Sequence, residues 1–96
     1  MKYVVMSIYD AAVEAYMRPF VAQSVKQAQR LFEDEVVRDG SDMGTHPNDY
    51  ALFKIGEFND NDGSLTKIVP ECVEQAHVVK ARFENVIELP KAEGDS

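Results

Sequence analysis

The apolar positions of this chain change rhythm several times, and each rhythm predicts an element. Lys2 to Tyr9 is dense in β-branched and aromatic residues, namely Tyr3, Val4, Val5, Ile8 and Tyr9. Such side chains suit a pleated, half-buried surface. They occupy both parities, so the strand is expected to lie centrally and to be covered on both faces. Asp10 to Glu14 loses this character and is expected to be a loop. Tyr16-Met17-Arg18-Pro19-Phe20 is extended again. Pro19 biases Arg18 toward the β region and has no amide proton for a central ladder. This segment is therefore expected as a short edge strand folded back on the first.

Val25, Ala28, Leu31, Phe32 and Val36 recur at helical spacing and predict a helix from Ser24 to Arg38 with one core-facing stripe. Ser24 and Gln27 have the spacing of a capping box. Asp34 and Arg38 stand four apart in the favourable order. Gly40 can take the left-handed conformation that ends a helix. Asp39 to Asp49 is polar, contains Gly40, Gly44 and Pro47, and is expected to be a loop.

Tyr50 to Phe58 is the strongest strand candidate. Simple alternation puts Ala51, Phe53 and Ile55 on one face. Tyr50, Leu52, Lys54 and Phe58 fall on the other, where Tyr50, Lys54 and Phe58 are expected to be displayed. Gly56 inside the strand signals a bulge or a close backbone approach. Asn59 to Gly63 is dense in turn formers, and Ser64 to Val69 alternates as a second strand, which together predict a hairpin. Pro70 suits the first position of a helix. Cys72, Val73, Ala76, Val79 and Phe83 then share one face of a helix expected over about 71–82. Glu71 and Glu74 lie near its start, Lys80 and Arg82 near its end, as the helix dipole prefers.

The predicted fold is α+β. A small antiparallel or mixed sheet, in the order strand, strand, helix, strand, strand, packs on one central helix, with an additional C-terminal helix. Residues 1–89 are expected to form a single domain and 90–96 a disordered acidic tail. One helix covers a four-stranded sheet on one side only, so a homodimer is expected to cover more.

Composition narrows the function. The net charge of −7 opposes non-specific attraction to nucleic-acid phosphates, although ten Lys and Arg are scattered along the chain. No run of apolar residues is long enough to span a membrane. The N-terminus lacks a full apolar core and a small-residue cleavage site, so no signal peptide is expected. Cys72 is the one cysteine. It can form no internal disulfide, fits a reducing compartment, and is expected to be a small half-buried hydrophobe.

Candidate chemistry is sparse. His46 and Asp49 sit three apart in a loop, where a carboxylate can orient an imidazole, but a turn before the strand accounts for both. Asp60 to Gly63 lacks the alternating ligands and closing Glu of a calcium loop. His77 has no second ligand one helical turn away. There is no Gly-rich phosphate loop and no nucleophile elbow. No catalytic residue, metal or cofactor is expected. The remaining possibility is a sheet surface on which aromatic rings stack bases and cations hold the backbone. Tyr3, Tyr9, Tyr16, Tyr50 and Phe58 could supply rings, and Lys2, Arg18, Lys54 and Lys67 charge. Lys2, Arg18, Tyr50, Lys54, Phe58 and Lys67 are the candidate nucleic-acid-binding residues.

Four groups of residues resemble a known pattern in order along the chain: Met1-Lys2-Tyr3 with Tyr9-Asp10; Pro19-Phe20; Ala28-x-Arg30-x-Phe32; and His46-Pro47-Asn48-Asp49-Tyr50-Ala51-Leu52-Phe53-Lys54-Ile55-Gly56-Glu57-Phe58. Over residues 1 to about 70 the chain resembles the small non-structural protein of gokushoviruses, single-stranded DNA phages of the microvirus group. The resemblance implies a non-enzymatic protein of the host bacterial cytoplasm that supports viral single-stranded DNA synthesis or packaging. It would act by binding single-stranded DNA or a viral or host replication or assembly protein. The alternative is a homodimeric interaction module that acts on a host or viral partner without touching DNA. No membrane partner is expected.

Overall fold

The computed structural model describes residues 1–84, so the expected tail at 90–96 lies outside the described residues. Five strands form one antiparallel sheet. Strand β1 (Lys2–Asp10) is central, as expected, but among the described residues the helices cover only one of its two faces. β4 (Tyr50–Asn59) pairs along one edge of β1, and β5 (Leu65–Gln75) lies outside β4. The other edge of β1 holds β2 (Ala15–Tyr16) and β3 (Phe20–Ala22). These two are one returning strand interrupted at Met17–Pro19. Ser7 Oγ bridges the interruption by donating to the Met17 carbonyl at 2.7 Å.

Helix α1 (Val25–Val37) spans nearly the predicted range. Ser24 Oγ accepts from the Gln27 amide at 3.1 Å, as in a capping box. The Gln27 side chain reaches back one residue further than that motif, to the Gln23 amide at 2.7 Å. Gly40 is left-handed, with φ of 79°, but it lies two residues past the C-cap: the helix ends at Arg38 in an extended conformation rather than at Gly40. The expected Asp34–Arg38 pair is replaced by Glu35–Arg38, whose bidentate geometry at 2.7 and 3.1 Å holds the Glu35 carboxyl below its ordinary range.

The expected 39–49 loop contains a short helix, α2 (Asp42–Thr45), and a 3₁₀ turn at Pro47–Asp49. Ser41 Oγ caps α2 by accepting from the Gly44 amide at 2.9 Å, which drives Met43 into the core. Gly44 is required because a Cβ there would strike the Val36 carbonyl oxygen.

The C-terminal helix exists but begins later than expected: 71–75 extend β5, and residues 76–84 are helical (α3). The signal that misled is Pro70. It sits in an irregular part of an outer strand, between the pairs Gly56–Lys67 and Lys54–Glu71. A proline without an amide proton is tolerated there. Glu71, Cys72 and Glu74 then pair with Lys54, Phe53 and Leu52.

The core lies between one face of the sheet and the helices. Met6, Ala22 and Leu52 from the sheet meet Ala28, Phe32 and Val36 from α1, Met43 from α2, and Ala76 and Val79 from α3. Val4, Ile8, Phe20 and Tyr50 pack at its margin.

Candidate interaction face of the sheet

Among the described residues, no helix packs on the opposite sheet face. Its composition follows from the register, because directly paired residues project to the same side and alternate along each strand. Met6 and Leu52 face the helices. Their neighbours Val5, Ser7 and Phe53 therefore face away, together with the partners of these residues. The open face thus holds Tyr3, Tyr9 and Val5 from β1 and Tyr16 and Val21 from the returning strand. From β4 and β5 it holds Phe53 and Phe58, then Leu65, Lys67 and Cys72.

Five aromatic rings interlock on this face in two groups. Tyr9, Tyr16 and Phe53 form a triad of edge-to-face contacts with centroid separations of 4.9, 5.5 and 6.3 Å. Tyr3 lies 6.3 Å from Phe58 near the other end. Such tilted pairs add roughly 0.5–1.5 kcal/mol each beyond area burial. The rims are apolar and open: Tyr16 is 45% exposed, Val21 52% and Leu65 70%. Cys72 is also exposed, rather than half-buried as expected.

One irregularity decides which residues reach this face. Val5 pairs with Gly56 and Met6 with Lys54, so Ile55 is the extra residue of a bulge. Parity flips there. Before the bulge, Tyr50, Leu52 and Lys54 share the helix side; after it, Phe58 joins the open side. Gly56 permits the close approach of β5, since a Cβ would lie 2.7 Å from the Thr66 carbonyl oxygen.

The six expected binding residues are accordingly not brought together. Phe58 and Lys67 share the open face. Tyr50 packs against the core on the other side. Its hydroxyl is pushed above its ordinary range by burial and by the charge of nearby Asp10. Lys54 also lies on the helix side, 3.4 Å from Glu57 in an ion pair. Lys2 pairs with Asn59 at the parity of Val4, also away from the open face. Arg18 stands in the exposed gap between β2 and β3. Phe53, placed opposite the displayed face in a simple alternating reading, instead joins Tyr9 and Tyr16 in the triad. Gly56 in mid-strand was the signal that alternation breaks.

Charge is sorted between the faces. Of the strand residues that pairing places on the open side, Lys67 alone is charged. Glu57, Glu71 and Glu74 project to the helix side, where Arg82 joins Glu74 at 2.8 Å and Glu33 at 3.3 Å. His46 is exposed, and its carbonyl accepts from the Asp49 amide at 3.1 Å, consistent with a shaped turn. Among the described residues, no three His, Cys, Asp or Glu side chains are grouped to hold a metal ion. No described helix is long and apolar enough to cross a membrane.

Neither the curated proteins nor the solved structures offer a match to this chain. A family model described as Phage ORF5 protein matches residues 3–81, which takes in all five strands but for Lys2 at the start of β1, together with α1, α2 and most of α3. The protein belongs to the Phage ORF5 family.

Proposed function

We propose that this phage protein is a non-enzymatic accessory factor of viral single-stranded DNA synthesis or packaging, and that it works in the host cytoplasm by binding protein through its open sheet face. The observation that carries this reading is a contiguous aromatic and apolar face with Lys67 as its one charged strand residue. Contiguous exposed apolar surface on a small protein marks an interaction site. Aromatic residues with few charges resemble the core of a protein–protein patch.

Direct binding of single-stranded DNA is the second reading, and the same rings favour it, because bases stack on exposed aromatic side chains. Two features weigh against it. The triad rings are engaged edge-to-face with each other. The cations that would neutralise phosphates are spread over other surfaces. An electrophoretic shift with single-stranded DNA across a salt series separates the readings. The protein-binding reading expects no shift even at low salt. A shift that weakens steeply as salt rises would replace it with the DNA-binding one.

A further inference from the structure

We propose that the partner seated on the open sheet face is a second copy of this chain, which makes the face an isologous dimer interface. The inference rests on the protein-binding reading of that face and names its occupant.

Charge is the first argument. An isologous contact lays one surface against itself, so a face with a strong single sign repels its own copy. This chain carries a net charge of −7, so a contact between two copies is favoured where carboxylates are few. The open face is such a place, since pairing places no strand carboxylate on it and only Lys67 among the cations. The acidic side chains of β4 and β5, Glu57, Glu71 and Glu74, all project to the opposite side. Two copies can therefore meet here without bringing strand carboxylates together.

Size is the second argument. β1 is nine residues long, and the face is four strands wide where the returning strand, β1, β4 and β5 lie side by side. Strand rise and spacing then give roughly 600 Å² per copy. A pair would bury about 1,200 Å², the lower end of the range for specific interfaces. The apolar rim makes that area effective: Leu65 and Val21 stand at the flanks of the face, mostly exposed. Covering them removes from water apolar side chains that are mostly exposed in the single chain.

The experiment is sedimentation equilibrium on the full chain, comparing the natural protein with Leu65→Asp, Val21→Lys and Leu31→Asp. Leu31 is the control: helical spacing puts it on the core-facing stripe, but it lies on the outer side of α1 and is 53% exposed. All three sites are exposed enough to accept a charge without unfolding the domain. The natural chain and Leu31→Asp are expected at twice the 10.8 kDa chain mass, and the two sheet-face variants at the single mass. A natural chain that stays at the single mass up to its solubility limit overturns the proposal. So does a dimer that survives both sheet-face changes, or one that Leu31→Asp alone dissociates. Growth of a phage lacking this gene, supplied with each variant in trans, separates this failure from that of the broader reading. A monomeric natural protein whose face variants do not support growth removes the second copy but keeps a protein-binding face. A dimer whose monomeric variants support normal growth keeps the second copy and removes the broader reading.

Discussion

The two faces of the sheet are built from the same strands and differ in almost every other respect. On the helix side, Met6, Leu52 and Phe32 are sealed, and Lys54 pairs with Glu57 and Glu74 with Arg82 around the margin. On the open side, aromatic rings pack on each other and stop at an apolar rim with no covering element among the described residues. The difference teaches where stability and recognition are separated. Apolar area on the first face is withdrawn from water by folding itself. Apolar area on the second stays open to water among the described residues.

The largest expected effect contrasts the faces directly. Phe32→Ala removes a fully buried ring and should cost about 3–5 kcal/mol in urea unfolding. Leu65→Asp on the open rim should stay within about 0.5 kcal/mol when measured in dilute solution. A large loss from Leu65→Asp would mean that the open face holds the fold as well.

Gly56→Ala tests how the two faces are kept distinct. Its new Cβ would meet the Thr66 carbonyl oxygen, which is backbone and cannot rotate aside. A loss of about 1–3 kcal/mol is expected. Cross-strand nuclear Overhauser contacts between Tyr3 and Phe58 should weaken as the local register shifts. Full stability with those contacts intact would show that the close approach at Gly56 does not set the parity flip.

The smallest effect concerns Tyr50, at the margin of the sealed face. Burial and the charge of Asp10 raise its hydroxyl pKa above the ordinary 10.0. The folded state holds that proton more tightly than the unfolded chain does. The contribution is complete below pH 10.0 and is lost as pH rises through the higher folded value. Tyr50→Phe should flatten the alkaline limb of a thermal midpoint profile. An unchanged limb would show that Tyr50 is not the group responsible.

Much of the fold could be read from residue pattern, and the failures share a cause. The central strand, the helix from Ser24 and the hairpin through Asn59–Gly63 rest on local signals: two-sided apolar runs, a capping serine, a cluster of turn formers. The candidate face depends instead on which strands pair and where a pairing slips. Ile55 looks like any alternating strand residue until β1 is known to pair Val5 with Gly56 and Met6 with Lys54. That one extra residue moved Phe58 away from Tyr50 and Lys54 and onto the side of Phe53, which the core position of Leu52 turns outward. Pro70 misled in the same way, because the outer position of β5 and the irregular register beside Ile55 are long-range facts. Ser41 as a cap for α2 was a local signal, but it was hidden in a polar stretch that resembles a loop.

The central claim is that the open face acts without holding the fold. It is tested most directly by supplying Leu65→Asp in trans to a phage lacking this gene, alongside the thermal midpoint of the same variant in dilute solution. The account predicts a midpoint close to that of the natural chain and no support of phage growth. Normal growth with the midpoint unchanged would contradict it.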